Sequence, residues 1–150
     1  MRQFLIFLIL YILSFDISAQ DTDKDSLVDL WSTYHESGEF DRSLDVSLEI
    51  YDISVNAKES EWQLLSLILL SKSYFSLEDY NKSLSLGIES LEILRKINIT
   101  GWTEEEVTIE QLKLSILNTI AESYRSLGDY NQSLEINLEC VQICKEIYSN

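Results

Sequence analysis

Proline is absent from the 150 residues, and glycine occurs only four times. Without proline no helix interior need be broken, and with so little glycine the tight turns of a sheet-rich fold are scarce. Histidine occurs once, at His35, and cysteine twice, at Cys140 and Cys144. One histidine with no nucleophile identifiably paired to it offers acid-base chemistry little, so His35 is expected as a solvated residue at a helix end and no catalytic residue is assigned. The cysteines stand four apart, neighbours on a helix but poorly aimed for a disulfide. A metal would need further ligands, so both are read as small buried residues. Basic residues are also few, 11 against 26 acidic ones, for a net charge of −15. Such a chain repels phosphate backbones and anionic membrane surfaces, which argues against nucleic acid as a partner. Basic peptides, cations and neutral surfaces stay open, and solubility is the plainer reason for the acidity.

One long apolar run exists, Phe4 to Leu13, preceded by Arg2 and followed by Ile17-Ser18-Ala19. Positive start, apolar core and small-residue cleavage site make the order of an export signal. Residues 1–19 are therefore expected to be a signal peptide cut after Ala19, residues 20–25 an acidic linker and 26–150 the folded domain, placed in the periplasm or secreted. The run is ended by Ser14 and Asp16, short of the roughly 20 apolar residues that span a bilayer. Membrane attachment is expected only if the signal stays uncleaved, and without a cysteine near the cut a lipid anchor is not. Asp21, Asp23 and Asp25, with Asp29 beyond, resemble the acidic calcium loops of some secreted repeat proteins. Ser26 stands where those loops have glycine, and Ser32 where an EF-hand places its last glutamate. A linker and helix cap is the preferred reading, with no metal or cofactor assigned.

The informative feature is an internal repeat. Leu27, Leu30 and Tyr34 precede Gly38-Glu39-Phe40-Asp41-Arg42-Ser43-Leu44. Leu67, Leu70 and Tyr74 precede Glu78-Asp79-Tyr80-Asn81-Lys82-Ser83-Leu84, and Leu117, Ile120 and Tyr124 precede Gly128-Asp129-Tyr130-Asn131-Gln132-Ser133-Leu134. Apolar residues at i, i+3 and i+7 predict a helix before each turn. Gly38 and Gly128 suit a left-handed turn residue, and Asp41, Asn81 and Asn131 are expected to cap the helix that follows. Phe40, Tyr80 and Tyr130 can fold back on the preceding helix. The second helices are apolar on two sides, as in Leu84, Ile88 and Leu91 on one and Leu86, Ile93 and Ile97 on another, so each should contact two neighbours, as stacked hairpins do.

These three copies resemble the tetratricopeptide repeat, with its aromatic in the first helix, its glycine-acidic-aromatic turn and its small residue soon after. The resemblance covers about residues 25–148. It implies an all-α, right-handed solenoid of three antiparallel helix hairpins, with repeats at about 26–55, 60–97 and 104–148. The tyrosines recur after 40 and then 50 residues, against about 34 in the family. Longer first helices in the second and third units are therefore expected, started by capping boxes at Ser60 with Gln63 and Thr103 with Glu106. Trp31 occupies a position where the family prefers a small residue, which sets close packing of the first unit against it. Asn98 to Gly101 is expected to be the true loop, and Asn98 the best placed of the N-glycosylation sequons at Asn81, Asn98 and Asn131. The last helix, with Ile136, Val141, Ile143 and Ile147, has no polar helix after it. It is expected to expose apolar surface, or to cover it in a homo-oligomer or in a longer chain.

The family resemblance also implies function. Relatives bind extended peptides or partner helices along the face of the first helices, here Val28, Ser32 and His35, then Leu65, Ile68, Lys72 and Phe75, then Ser115, Asn118, Glu122 and Arg125. Relatives that clamp a terminal carboxylate use lysine, arginine and asparagine there. The matching places hold Val28, Ser32, Leu69, Ser115 and Thr119, so that clamp is not expected. The reading is a non-catalytic, exported scaffold for a protein or peptide partner, through this groove or the last helix. The alternative is the sensory or regulatory input region of a larger signalling or peptidase-type protein, which the reading frame after Asn150 would reveal.

Overall fold

A computed structural model describes residues 24–97 and 108–148. The expected signal peptide, Asp21, Asp23, the Asn98–Gly101 loop and the Thr103–Glu106 cap lie outside them. The described residues form six α-helices and no strand: α1 (Lys24–Glu36), α2 (Phe40–Ala57), α3 (Ser60–Ser76), α4 (Tyr80–Lys96), α5 (Ile109–Ser126) and α6 (Tyr130–Tyr148). Contacts run between helices consecutive in the chain, with α3 and α5 also adjacent. This is a stack of three hairpins, first helices in one layer and second helices in the other.

All three hairpin turns are built alike. The Glu39, Asp79 and Asp129 amides donate to the Tyr34, Tyr74 and Tyr124 carbonyls at 2.8–2.9 Å, and the Gly38, Glu78 and Gly128 amides to His35, Phe75 and Arg125. This double closure requires a left-handed residue at the turn. Gly38 and Gly128 have φ of +80° and +85°, and Glu78 adopts 64° without the freedom of glycine. The helix that follows starts two residues earlier than expected. Asp79 and Asp129 supply the cap, accepting from the Lys82 and Gln132 amides, so Asn81 and Asn131 lie within the first turn. Glu39 stands at the same place without a side-chain cap bond, and Asp41 lies within α2.

Two other starts differ from expectation. Glu59 occupies the cap position of α3 without a side-chain cap bond, and the Gln63 amide nitrogen donates to the Ser54 carbonyl instead. The capping box that starts α5 is Thr108 with Gln111, five residues past Thr103. The long second period therefore does not lengthen a first helix: α3 has 17 residues and α5 has 18. The extra residues fall between Ile97 and Thr108.

The core consists of apolar clusters between neighbouring helices. Leu27, Trp31, Val46, Ile50 and Leu69 join the first two hairpins, and Leu64, Ile68, Leu94, Leu112, Ile116 and Ile120 join the second and third. Ile50, Leu64, Leu67, Ile116, Leu117 and Ile120 are almost wholly enclosed, each contributing about 1.5–3 kcal/mol by burial. Trp31 does not loosen the first unit. It is buried, and its indole N–H donates to the Ser73 hydroxyl at 2.9 Å, beside Ser43. Serine makes that room. Ser43, Ser47, Ser66, Ser71, Ser73, Ser83 and Ser123 are all fully enclosed, and several return their hydroxyls to a carbonyl three or four residues back. At Gly87 even a Cβ would meet Ile120 Cγ1 at 2.8 Å, so α4 and α5 approach closely there.

Candidate functional site

The first-helix layer is uneven. Helices α3 and α5 come close along their backbones, while α1 meets α3 less closely and through long side chains. The Trp31 indole reaches Ser73, and His35 Nε2 lies 3.5 Å from the Ser76 hydroxyl. Trp31 and His35 are stacked, with ring centroids 4.5 Å apart and planes inclined by 16°. His35 is therefore a half-buried member of an aromatic shelf and not a solvated helix end. Two of the three turn aromatics fold back as the sequence suggests: Phe40 meets His35 at 5.5 Å and Tyr80 meets Phe75 at 5.4 Å, whereas Tyr130 is exposed.

Lys72, on α3, is half-buried, and among the described residues no carboxylate pairs with it. Burial alone pulls its ammonium below the ordinary lysine value. His35 also lies below its ordinary value, first through burial and then through the nearby Lys72 charge, with Glu36 opposing. The imidazole is thus neutral near pH 7, and its Nδ1 is buried without a hydrogen-bond partner. Ser76, His35 and an unpartnered Nδ1 lack the third group that would orient the ring for nucleophilic attack. What the shelf offers is a desolvated positive charge beside aromatic faces.

The other groove positions divide. Ile68 is buried among Leu64, Leu112 and Ile116, so it joins the core and does not line an open face. Val28 and Leu65 are half-buried against the Leu27–Trp31 cluster. Glu122 and Arg125 are ion-paired with each other, and Asn118 is exposed. Ser32 and Ser115 are half-buried, and the Ser115 carbonyl accepts from the Thr119 hydroxyl. His35, Lys72 and Ser76 are brought together, whereas Glu122 and Arg125 close on themselves. Ser76 escaped sequence reasoning; it lies one residue past Phe75 and faces His35 only because the hairpins stack. Cys140 is buried against Leu117 and Ile143, with its thiol raised first by burial, and both cysteines are free. Among the described residues no group of side chains is arranged to hold a metal, and no helix is long and apolar enough to cross a membrane.

Residues 114–150 match the family model of the tetratricopeptide repeat. That segment is a tetratricopeptide repeat. The match falls on the third hairpin, and the first two share its turn geometry bond for bond. Tetratricopeptide repeats generally mediate protein-protein interaction and are typically non-catalytic. No curated protein matches the chain significantly.

Proposed function

We propose that this tetratricopeptide protein is an exported scaffold that holds a peptide segment of a partner protein against the α1–α3 face. The observation that carries this reading is Lys72. A half-buried ammonium without a carboxylate among the described residues, in a chain of net charge −15, is costly to keep unless something supplies the missing anion. A segment offering one carboxylate to Lys72 and an apolar side chain to the Trp31–His35–Phe40 shelf fits that chemistry. Export rests on Arg2, the Phe4–Leu13 run and the Ile17-Ser18-Ala19 site.

Pull-downs from the exported fraction with the wild type and Lys72→Met test the groove. A partner recovered by the wild type and weakened about tenfold by the variant supports it. Recovery of one partner equally by both proteins, or of none, ends it. Mass spectrometry of the native protein tests export, with Gln20 as the expected first residue; an intact Met1 in a cytoplasmic fraction would refute it.

A further inference from the structure

The groove uses one layer of the stack; the other layer presents a second surface. In the first hairpin Leu44 and Tyr51 pack against Leu67 and Leu70 of the next hairpin, and in the second Leu84 and Leu91 pack against the third. The corresponding residues of the last hairpin, Leu134 and Val141, are 59% and 51% exposed. Leu138, one turn from each, is 61% exposed and Tyr130 70%. With positions 130, 134, 138 and 141 they form one stripe along α6. Leu134 and Val141 continue the internal stacking interface, and Leu138 widens it at a place where the inner hairpins carry the exposed Leu48 and Ile88. The stripe is not the face first expected: Ile136, Ile143 and Ile147 turn inward against Leu117 and Cys140, and of the four residues expected there only Val141 is on the stripe.

Charge says what covers it. Around α2 the corresponding rim is acidic, with Asp41, Asp45 and Asp52; around α6 those places hold Asn131, Glu135 and Gln142. In a chain of net charge −15 this rim repels a like molecule less than the α2 rim would. Two charges remain beside the stripe, Glu135 and Lys145, both exposed and neither ion-paired with any described residue. They stand ten residues apart, about 15 Å along the helix. If two α6 helices pair antiparallel about a point between Leu138 and Val141, Leu138 meets Val141 of the second copy. Leu134 and Glu135 then meet Lys145 of the second copy, and the same contacts recur by symmetry. A parallel pairing would set Glu135 on Glu135. A head-to-tail pairing would offer the stripe the far side of α1, where Ser26, Leu30 and Thr33 hold the places of Ser66, Leu70 and Ser73 in α3. Leu30 is the one large apolar residue among them.

We infer that the stripe Tyr130–Leu134–Leu138–Val141 is an isologous dimer interface, closed by antiparallel α6 helices and by reciprocal Glu135–Lys145 pairs between two copies of this chain. The groove layer is not used, so groove binding and dimerisation can fail independently.

The test is sedimentation equilibrium of the whole mature chain, with circular dichroism to confirm that each variant keeps its helix content. The wild type should be a dimer. Leu138→Asp, Glu135→Lys and Lys145→Glu should each weaken association about thirtyfold or more. The double variant Glu135→Lys with Lys145→Glu should recover it, which a merely apolar or parallel contact would not do. A wild type that stays monomeric at every concentration, a dimer indifferent to Leu138→Asp, or a double variant no better than its singles would overturn the assignment.

Discussion

At the scale of single residues, Lys72 and His35 carry the most information because neither is placed for stability. Lys72→Met keeps the aliphatic stem and removes a desolvated charge, so thermal unfolding should rise, by about 1 kcal/mol in stability. A variant that gains stability and loses its partner would mark Lys72 as held for binding. The pH dependence of His35 has a definite sign. Its value in the fold lies below that of the unfolded chain, so the unfolded state binds the extra proton and stability falls as acid is added. Urea unfolding between about pH 7 and pH 5 should show this loss in the wild type and a flatter profile in His35→Gln. Protonation there would set a second positive charge beside Lys72. The family resemblance offered that histidine as a groove position; its burial was not legible, because Trp31, Phe40 and Ser76 reach it from three different helices.

At the scale of elements, the three turns are a controlled comparison. Glu78 adopts the left-handed backbone that Gly38 and Gly128 adopt without a Cβ. Glu78→Gly should therefore stabilise the protein by about 1 kcal/mol and Gly128→Ala should destabilise it by a similar amount, both read by chemical denaturation. No atom lies within 4 Å of a Cβ built at Gly128, so that penalty is backbone alone. Gly87 is the opposite case. Alanine would gain helix propensity yet strike Ile120, so Gly87→Ala should lose about 1–2 kcal/mol. The turn chemistry was readable from residues because it is local. Its caps were misplaced by two residues, since an aspartate just before an aromatic and an asparagine just after it are equivalent on composition. Only the closed turn shows that the helix begins at the aromatic.

At the scale of the molecule, stability in stacked hairpins is shared between neighbours and falls towards the ends. Helix α3 contacts α2, α4 and α5, and reaches α1 through Trp31 and His35. Hydrogen exchange should accordingly be slowest in α3 and faster in α1 and α6. A uniform rate across all six helices would show a single cooperative unit in place of a graded stack.

The hairpins, their number and their register around Tyr34, Tyr74 and Tyr124 were determined by the sequence itself, because helical periodicity and a glycine or acidic turn act over a few residues. The tertiary structure alone decided the rest. It seated Trp31 by surrounding it with serines, left Lys72 without a carboxylate among the described residues, sent Ile68 into the core, and exposed Leu134 and Leu138 in place of Ile136 and Ile143. The reason is common to all four. A helix apolar on two sides records that it has two neighbours, and only the packed stack settles which side meets which neighbour and which is left uncovered.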